Sequence, residues 1–237
     1  MVVLNQQNSE NPRMYDLSFM YTLRCDLKCP FCMYDSGPDV WDSMNMPMLD
    51  NWLWTVDPNL IASFGLYGGE PGVDLEGFGY CLQMAKRIIG ERPSFVITNG
   101  TWSTSMEKTD VFLRWCSDNG LFVVVSGTPF HRKTQDREIL ETLVQLYPTA
   151  MRLKPEHENF IPMGRLGHNE VACTVKCRSW NRASRIAVKP NGDILFQNCD
   201  GVFPVVGTYH DRFDVIDEKV QRWRAEGAKE CPYYKEL

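Results

Sequence analysis

Short apolar runs alternate with amphipathic stretches over the first 155 residues, and this alternation restricts the possible folds more than any other feature of the chain. Tyr15–Leu23, Ile61–Tyr67, Ser94–Thr98 and Leu121–Ser126 are short and apolar on both faces, with Ala150–Lys154 as a fifth, weaker run. Between them, Leu75–Glu91, Val111–Asp118 and Arg137–Gln145 carry their apolar residues at helical spacing. Strands apolar on both faces that alternate with helices predict a parallel sheet covered by helices. Gly68-Gly69, Asn99-Gly100 and Ser126-Gly127 gather at the strand ends, where open α/β sheets and barrels place their chemistry.

After Pro155 the pattern changes. Residues 156–169 are irregular and polar. Arg185–Lys189 and Asp193–Gln197 then flank Pro190-Asn191-Gly192, a turn sequence suited to a hairpin, and Phe213–Glu226 reads as an amphipathic helix. The chain contains no internal repeat. The organisation expected is a first unit over 14–155 and a smaller one over 156–237.

Composition limits the compartment. The 237 residues carry 25 Lys and Arg against 30 Asp and Glu, a net charge of −5, which counts against a protein holding nucleic acid mainly by charge. No apolar run approaches the roughly 18–20 residues needed to span a bilayer. Met1–Arg13 is polar and lacks the layout of a secretion signal. A cytoplasmic protein is therefore expected. There, nine cysteines are not a disulfide framework, because thiols are kept reduced. They form two groups, Cys25, Cys29 and Cys32 on one loop and Cys173, Cys177, Cys199 and Cys231 in the last third, and both read as metal sites. Cys81 and Cys116 stand alone and read as core.

Three thiolates on one loop are one short of the usual four of a four-iron cube, and one short of a closed structural zinc site. Such a loop at the end of a strand can leave a metal corner open for a ligand. Gly68-Gly69-Glu70-Pro71 follows the second strand; glycines let the backbone approach a ligand closely, and a carboxylate complements an ammonium. Zinc ligation and a plain glycine-rich turn are the alternatives.

C-x3-C-x2-C with the aromatic Phe31 before its last cysteine, followed by Gly68-Gly69-Glu70, resembles the radical S-adenosylmethionine superfamily. The resemblance covers about residues 15–155 and implies a partial (β/α) TIM-like barrel of five to six units. It implies that Cys25, Cys29 and Cys32 hold a 4Fe–4S cluster, and that Gly68, Gly69 and Glu70 hold the methionine ammonium of S-adenosylmethionine. Thr98, Asn99 and Ser126 would meet the cofactor's ribose and carboxylate, Arg152 its carboxylate and Phe31 its adenine. Strand-ending turns, a surface ion pair and a core aromatic are the plainer readings of those five. The implied reaction is reductive cleavage of S-adenosylmethionine to a 5′-deoxyadenosyl radical that abstracts a hydrogen atom from substrate, the cofactor doing the radical work.

The second cysteine group resembles the superfamily's auxiliary-cluster extension, called SPASM with two clusters and Twitch with one. Gly164-Arg165, Cys173, Cys177, the hairpin turn, Cys199, Gly207 and Cys231 follow its order. Six residues separate Gly192 from Cys199 where SPASM has four, and the later cysteine-rich run is absent. Four thiols suit one auxiliary 4Fe–4S cube, so Twitch is the closer match; structural zinc and free buried thiols are the alternatives. If Cys173 is a bystander, a three-ligand cluster could bind substrate directly.

Oxidation or radical rearrangement of a small-molecule or peptide substrate leads the functional readings, with an electron donor of flavodoxin or ferredoxin type. Modification of a nucleobase within DNA or RNA is the alternative, drawing on Arg178, Trp180, Arg182, Arg185 and Lys189 as a basic-aromatic stretch. The same stretch also reads as a hairpin edge guarded by charge. A non-catalytic zinc module is the reading from a different class, and it leaves Gly68-Gly69-Glu70 without a role. His131 lies on a loop at the functional end, and His157 in a polar linker. Met33, Met44, Met46 and Met48 are expected to pack a lid over the site.

Overall fold

The computed structural model describes residues 14–154, 185–197 and 205–226. Eight strands form one sheet: β1 (Tyr15–Phe19), β2 (Ile61–Leu66), β3 (Ser94–Thr98), β4 (Leu121–Val125), β5 (Met151–Leu153), β6 (Arg185–Val188), β7 (Asp193–Gln197) and β8 (Val205–Thr208). Their order is β5-β4-β3-β2-β1-β6-β7-β8. β1 to β5 run parallel to their neighbours, as the two-faced apolar strands predicted. The sheet ends at β5 and β8 and is not closed among the described residues.

The predicted hairpin forms, with Ile186 opposite Phe196 across β6 and β7. Its place in the sheet was not legible: β6 lies parallel to β1, with Asp16 beside Arg185 and Phe19 beside Val188. The hairpin thus extends the main sheet, and β8 adds an antiparallel edge that the sequence reading omitted.

Among the described residues six α-helices accompany the strands: α1 (Met46–Leu53), α2 (Leu75–Ile89), α3 (Met106–Asp118), α4 (Pro129–Arg132), α5 (Arg137–Leu146) and α6 (Phe213–Glu226). Side chains stop the first turns from fraying. Asp74 accepts from Gly77 N at 2.9 Å, and Asp136 accepts from Ile139 N at 3.1 Å. Strand side chains alternate between the two faces of the sheet. Tyr15, Leu17 and Phe19 enter the main core with Phe64, Leu66, Val96 and Val123, which α2 and α3 cover with Phe78, Leu82 and Phe112. Asp16 and Ser18 point to the other face, where Met20, Tyr67, Ala187 and Leu195 form a second, smaller cluster.

The methionine loop corrects the expectation of a lid. Asn45 caps α1 by accepting from Met48 N at 3.2 Å, with a proline in its first turn. Met44 is buried in the core, Met46 packs against it, and their sulfurs lie 3.8 and 3.7 Å from Cys81 Sγ. Cys81 and Cys116 are core residues, as expected.

α6 returns to the start of the chain. Phe213 meets Tyr15 edge-on at 5.9 Å between ring centroids. Tyr15 Oη donates to Asp217 Oδ1 at 2.5 Å and accepts from Gln221 Nε2 at 2.8 Å.

Candidate cofactor site

The cysteine loop leaves the C-terminal end of β1 and is held by backbone. Cys25 N donates to Gly37 O at 3.1 Å, Gly37 N donates to Leu23 O at 3.1 Å, and Cys32 N donates to Cys29 O at 3.2 Å. Cys25 and Cys29 are buried and Cys32 half-buried. Burial, countered by the bond from Leu27 N, pushes the Cys25 thiol well above its ordinary range. A metal that displaces its proton is one way such a thiol becomes a thiolate.

The glycine turn after β2 is bonded to this loop. Gly69 N donates to Thr22 O at 2.8 Å and Glu70 N to Arg24 O at 3.0 Å. The approach is so close that a Cβ on Gly69 would sit 1.9 Å from Arg24 O. Gly68 adopts φ +129°, in the region that favours glycine, and its carbonyl accepts from Ser36 Oγ at 3.0 Å.

Glu70 ties the second strand end to the third. Its Oε1 accepts from Thr98 Oγ1 at 2.6 Å and Gly72 N at 3.0 Å, and its Oε2 accepts from Asn99 N at 2.6 Å. Burial raises its carboxyl from 4.5 to about 7, against the three bonds that pull it down. A carboxylate offers about four acceptor positions, so one direction is left for a cationic ligand. Asn99 continues the chain of contacts: its Nδ2 donates to Asp26 Oδ1 at 2.7 Å and lies 3.7 Å from Cys25 Sγ.

Phe31 and His131 complete this end of the sheet. The Phe31 ring is edge-on to Phe130 at 5.9 Å and to His131 at 5.8 Å. His131 Nε2 lies 3.4 Å from Cys29 Sγ, and its Nδ1 is 2.9 Å from Thr128 Oγ1, which fixes the ring. Ser126, half-buried at the end of β4, joins through its backbone: its N donates to Thr98 O at 2.9 Å and its O accepts from Gln135 Nε2 at 2.8 Å.

Cys25, Gly69, Glu70, Thr98 and Asn99 therefore belong to one connected network, and Cys29 and Phe31 meet beside it through His131. Asp26 and Gln135 were missed. Asp26 accepts from Thr101 Oγ1 at 2.5 Å as well as from Asn99, and Gln135 donates at 2.6 Å to Asn99 O. Asp26 carried a signal, since it lies between two cysteines of the motif; Gln135, far along the chain and inside a loop, carried none.

Arg152 lies apart from this network. It lines a cavity of ≈130 Å³ on the inner face of the sheet with Asp16, Ser63, Phe95, Lys154 and Arg185. Cys173, Cys177, Cys199 and Cys231 lie outside the described residues, as do His157, Arg178, Trp180 and Arg182. Among the described residues no three His, Cys, Asp or Glu side chains converge as a site for one metal ion. No helix among them is long and apolar enough to cross a membrane.

No family model and no curated protein matches the sequence. Solved structures match the fold. BtrN in complex with AdoMet and 2-DOIA aligns with TM-score 0.59 at 14% identity, over 90% of this chain and 86% of that one. Native anSMEcpe with bound AdoMet and Cp18Cys peptide aligns with TM-score 0.56 at 15% identity, over 89% of this chain and 82% of that one. Both are radical S-adenosylmethionine enzymes. Cys25, Cys29 and Cys32 on the loop after the first strand and Gly68-Gly69-Glu70 after the second therefore lie in a fold that the chain shares with BtrN and anSMEcpe.

Proposed function

We propose that the protein is a radical S-adenosylmethionine enzyme that abstracts a hydrogen atom from a small-molecule or peptide substrate, leading to oxidation or radical rearrangement. One observation carries the reading: the three-cysteine loop and the Gly68–Glu70 turn are hydrogen-bonded to each other at neighbouring strand ends. A zinc module gives that union no purpose.

Cys25, Cys29 and Cys32 would hold a 4Fe–4S cluster, whose reduced form supplies the electron that cleaves S-adenosylmethionine to the hydrogen-abstracting 5′-deoxyadenosyl radical. The chain's own residues bind and position. Gly68 and Gly69 bring backbone against the cysteine loop with no side chain between, and Glu70 presents its remaining acceptor direction to the cofactor ammonium. Thr98 and Asn99 fix that carboxylate from β3, Ser126 lies beside them, and Phe31 offers a ring edge already supported by Phe130 and His131.

We further assign 14–155 to a partial barrel carrying this site, and 156–237 to a Twitch-like region in which Cys173, Cys177, Cys199 and Cys231 hold one auxiliary cluster. BtrN and anSMEcpe, bound to AdoMet with 2-DOIA or a peptide, support the cofactor and the two substrate classes. A cytoplasmic flavodoxin or ferredoxin would supply electrons. The test is iron and sulfide per chain after anaerobic reconstitution of wild type and of the triple Cys25/Cys29/Cys32→Ala variant. About eight irons falling to about four fits two cubes. About four falling to almost none removes the auxiliary cluster, and colourless zinc-loaded protein refutes the whole reading.

A further inference from the structure

The inner face of the sheet carries a feature that the cofactor network does not use. Asp16 on β1, Ser63 on β2, Phe95 on β3, Arg152 on β5, Lys154 just after it and Arg185 on β6 surround the ≈130 Å³ cavity. One water needs only about 10–15 Å³, so the space admits a group of several heavy atoms. Among the described residues its charged walls are three cations and one carboxylate, an excess of two positive charges. The carboxylate accepts from Ser63 Oγ at 2.5 Å and lies beside Arg185 in the β1–β6 pairing. Arg152 has its guanidinium 6.0 Å from the Phe122 ring centroid. Arg185 is held between two rings, 5.7 Å from the centroid of Tyr67 and 5.5 Å from that of Phe95. Ring faces on two sides restrict where its planar fork can point, and such a fork matches planar or tetrahedral oxyanions in a way lysine cannot.

The cavity is lined by residues outside the cofactor network. None of the cysteine loop, Gly68–Glu70, Thr98 or Asn99 lines it. Asp16, Ser63, Phe95 and Arg185 stand in the first halves of their strands, whereas Arg152 is opposite Val124 and Lys154 follows the end of β5, its N donating to Val125 O at 2.9 Å. The cavity therefore runs along the sheet from the level of Asp16 up to the strand ends.

We propose that this cavity is an oxyanion subsite, in which Arg152, Lys154 and Arg185 grip a carboxylate or phosphate borne by the substrate. The anionic group ties the substrate's charged end to this face of the sheet. Only the word substrate rests on the radical-enzyme reading; the anion site itself does not.

The test uses the full-length, iron-free chain at constant ionic strength, titrated calorimetrically with inorganic phosphate and, separately, with succinate; chloride is the control. Saturable binding of either anion is expected, and the tighter one identifies the chemistry. Arg152→Gln and Arg185→Gln should each weaken binding at least tenfold, with unchanged circular dichroism. Asp16→Asn should tighten it severalfold, a gain that a damaged fold cannot imitate. No saturable binding of either anion, or equal affinity in wild type and both arginine variants, overturns the proposal. So does competitive displacement of phosphate by S-adenosylmethionine, which would return the cavity to the cofactor carboxylate. The readout involves no iron, so failure here leaves the reading of the cysteine loop standing, and failure to load iron leaves this one standing.

Discussion

Replacing Gly69 with alanine tests the junction on which the site depends. The new Cβ would lie 1.9 Å from Arg24 O, 2.7 Å from its carbonyl carbon and 3.0 Å from its nitrogen, all backbone atoms. No rotamer change relieves such a contact, so the two loops must move apart by about 1 Å, beyond what a hydrogen bond tolerates. The bonds from Gly69 N to Thr22 O and from Glu70 N to Arg24 O, at 2.8 and 3.0 Å, are then lost. Each contributes about 0.5–1.5 kcal/mol, and overpacking adds about 1–3 kcal/mol. The expected destabilisation is about 2–6 kcal/mol, a large part of the roughly 5–15 kcal/mol that holds a domain folded. Urea unfolding of the iron-free chain measures it, and iron retained after reconstitution should fall with it. Gly120→Ala is the comparison: φ there is +64° with nothing within 4 Å, so only backbone strain of about 1–2 kcal/mol applies. A Gly69→Ala variant within 0.5 kcal/mol of wild type, or retaining full iron, refutes the contact between the loops.

Glu70 makes stability depend on pH. Its carboxyl is raised from 4.5 to about 7 in the folded chain, so a stabilising contribution on the order of 3 kcal/mol is complete below pH 4.5 and lost as pH rises to about 7. The unfolding free energy of wild type minus that of Glu70→Gln should fall across that window in iron-free protein, and a constant difference sinks the argument. At the cysteine loop, His131→Leu removes the 3.4 Å contact with Cys29 Sγ and should lower the reduction potential of a cluster bound there, as redox titration followed by electron paramagnetic resonance would show. The exposed Arg114–Asp110 pair should matter little despite its 2.6 Å separation: Asp110→Ala should cost no more than about 0.5 kcal/mol in thermal unfolding.

Legibility in the sequence followed local chemistry. β3 and α6 have the predicted limits, and α2 runs from Leu75 to Ile89 within the predicted span. Each is bracketed by a capping or breaking residue, such as Asn99-Gly100 after β3. The cysteine loop, Glu70, Thr98 and Asn99 were readable because a spaced motif places them at strand ends. α1 has a helix start in Asn45 and Pro47, but its methionines do not say in the sequence whether they pack the core or a site. The seat of β6 beside β1 was unreadable for a different reason. A parallel strand with both faces covered states that it needs neighbours, and nothing in its side chains says which. Gln135 and Asp26 escaped for the same reason, since their roles exist only once the strand ends have been brought together.

The position of β6 orders the protein's own assembly in time. β1, which carries the cysteine loop, pairs on one side with β2 and on the other with a strand from the last quarter of the chain. Bringing β6 to β1 costs about 1 kcal/mol more in loop-closure entropy than bringing β2, and such long-range pairings slow folding. A nascent chain emerging from the ribosome therefore displays β1 with one bare edge until residue 188 is out, and a bare edge is a template for wrong partners. A chain stopped at residue 155 should therefore aggregate even though its cysteine motif and glycine turn are both present.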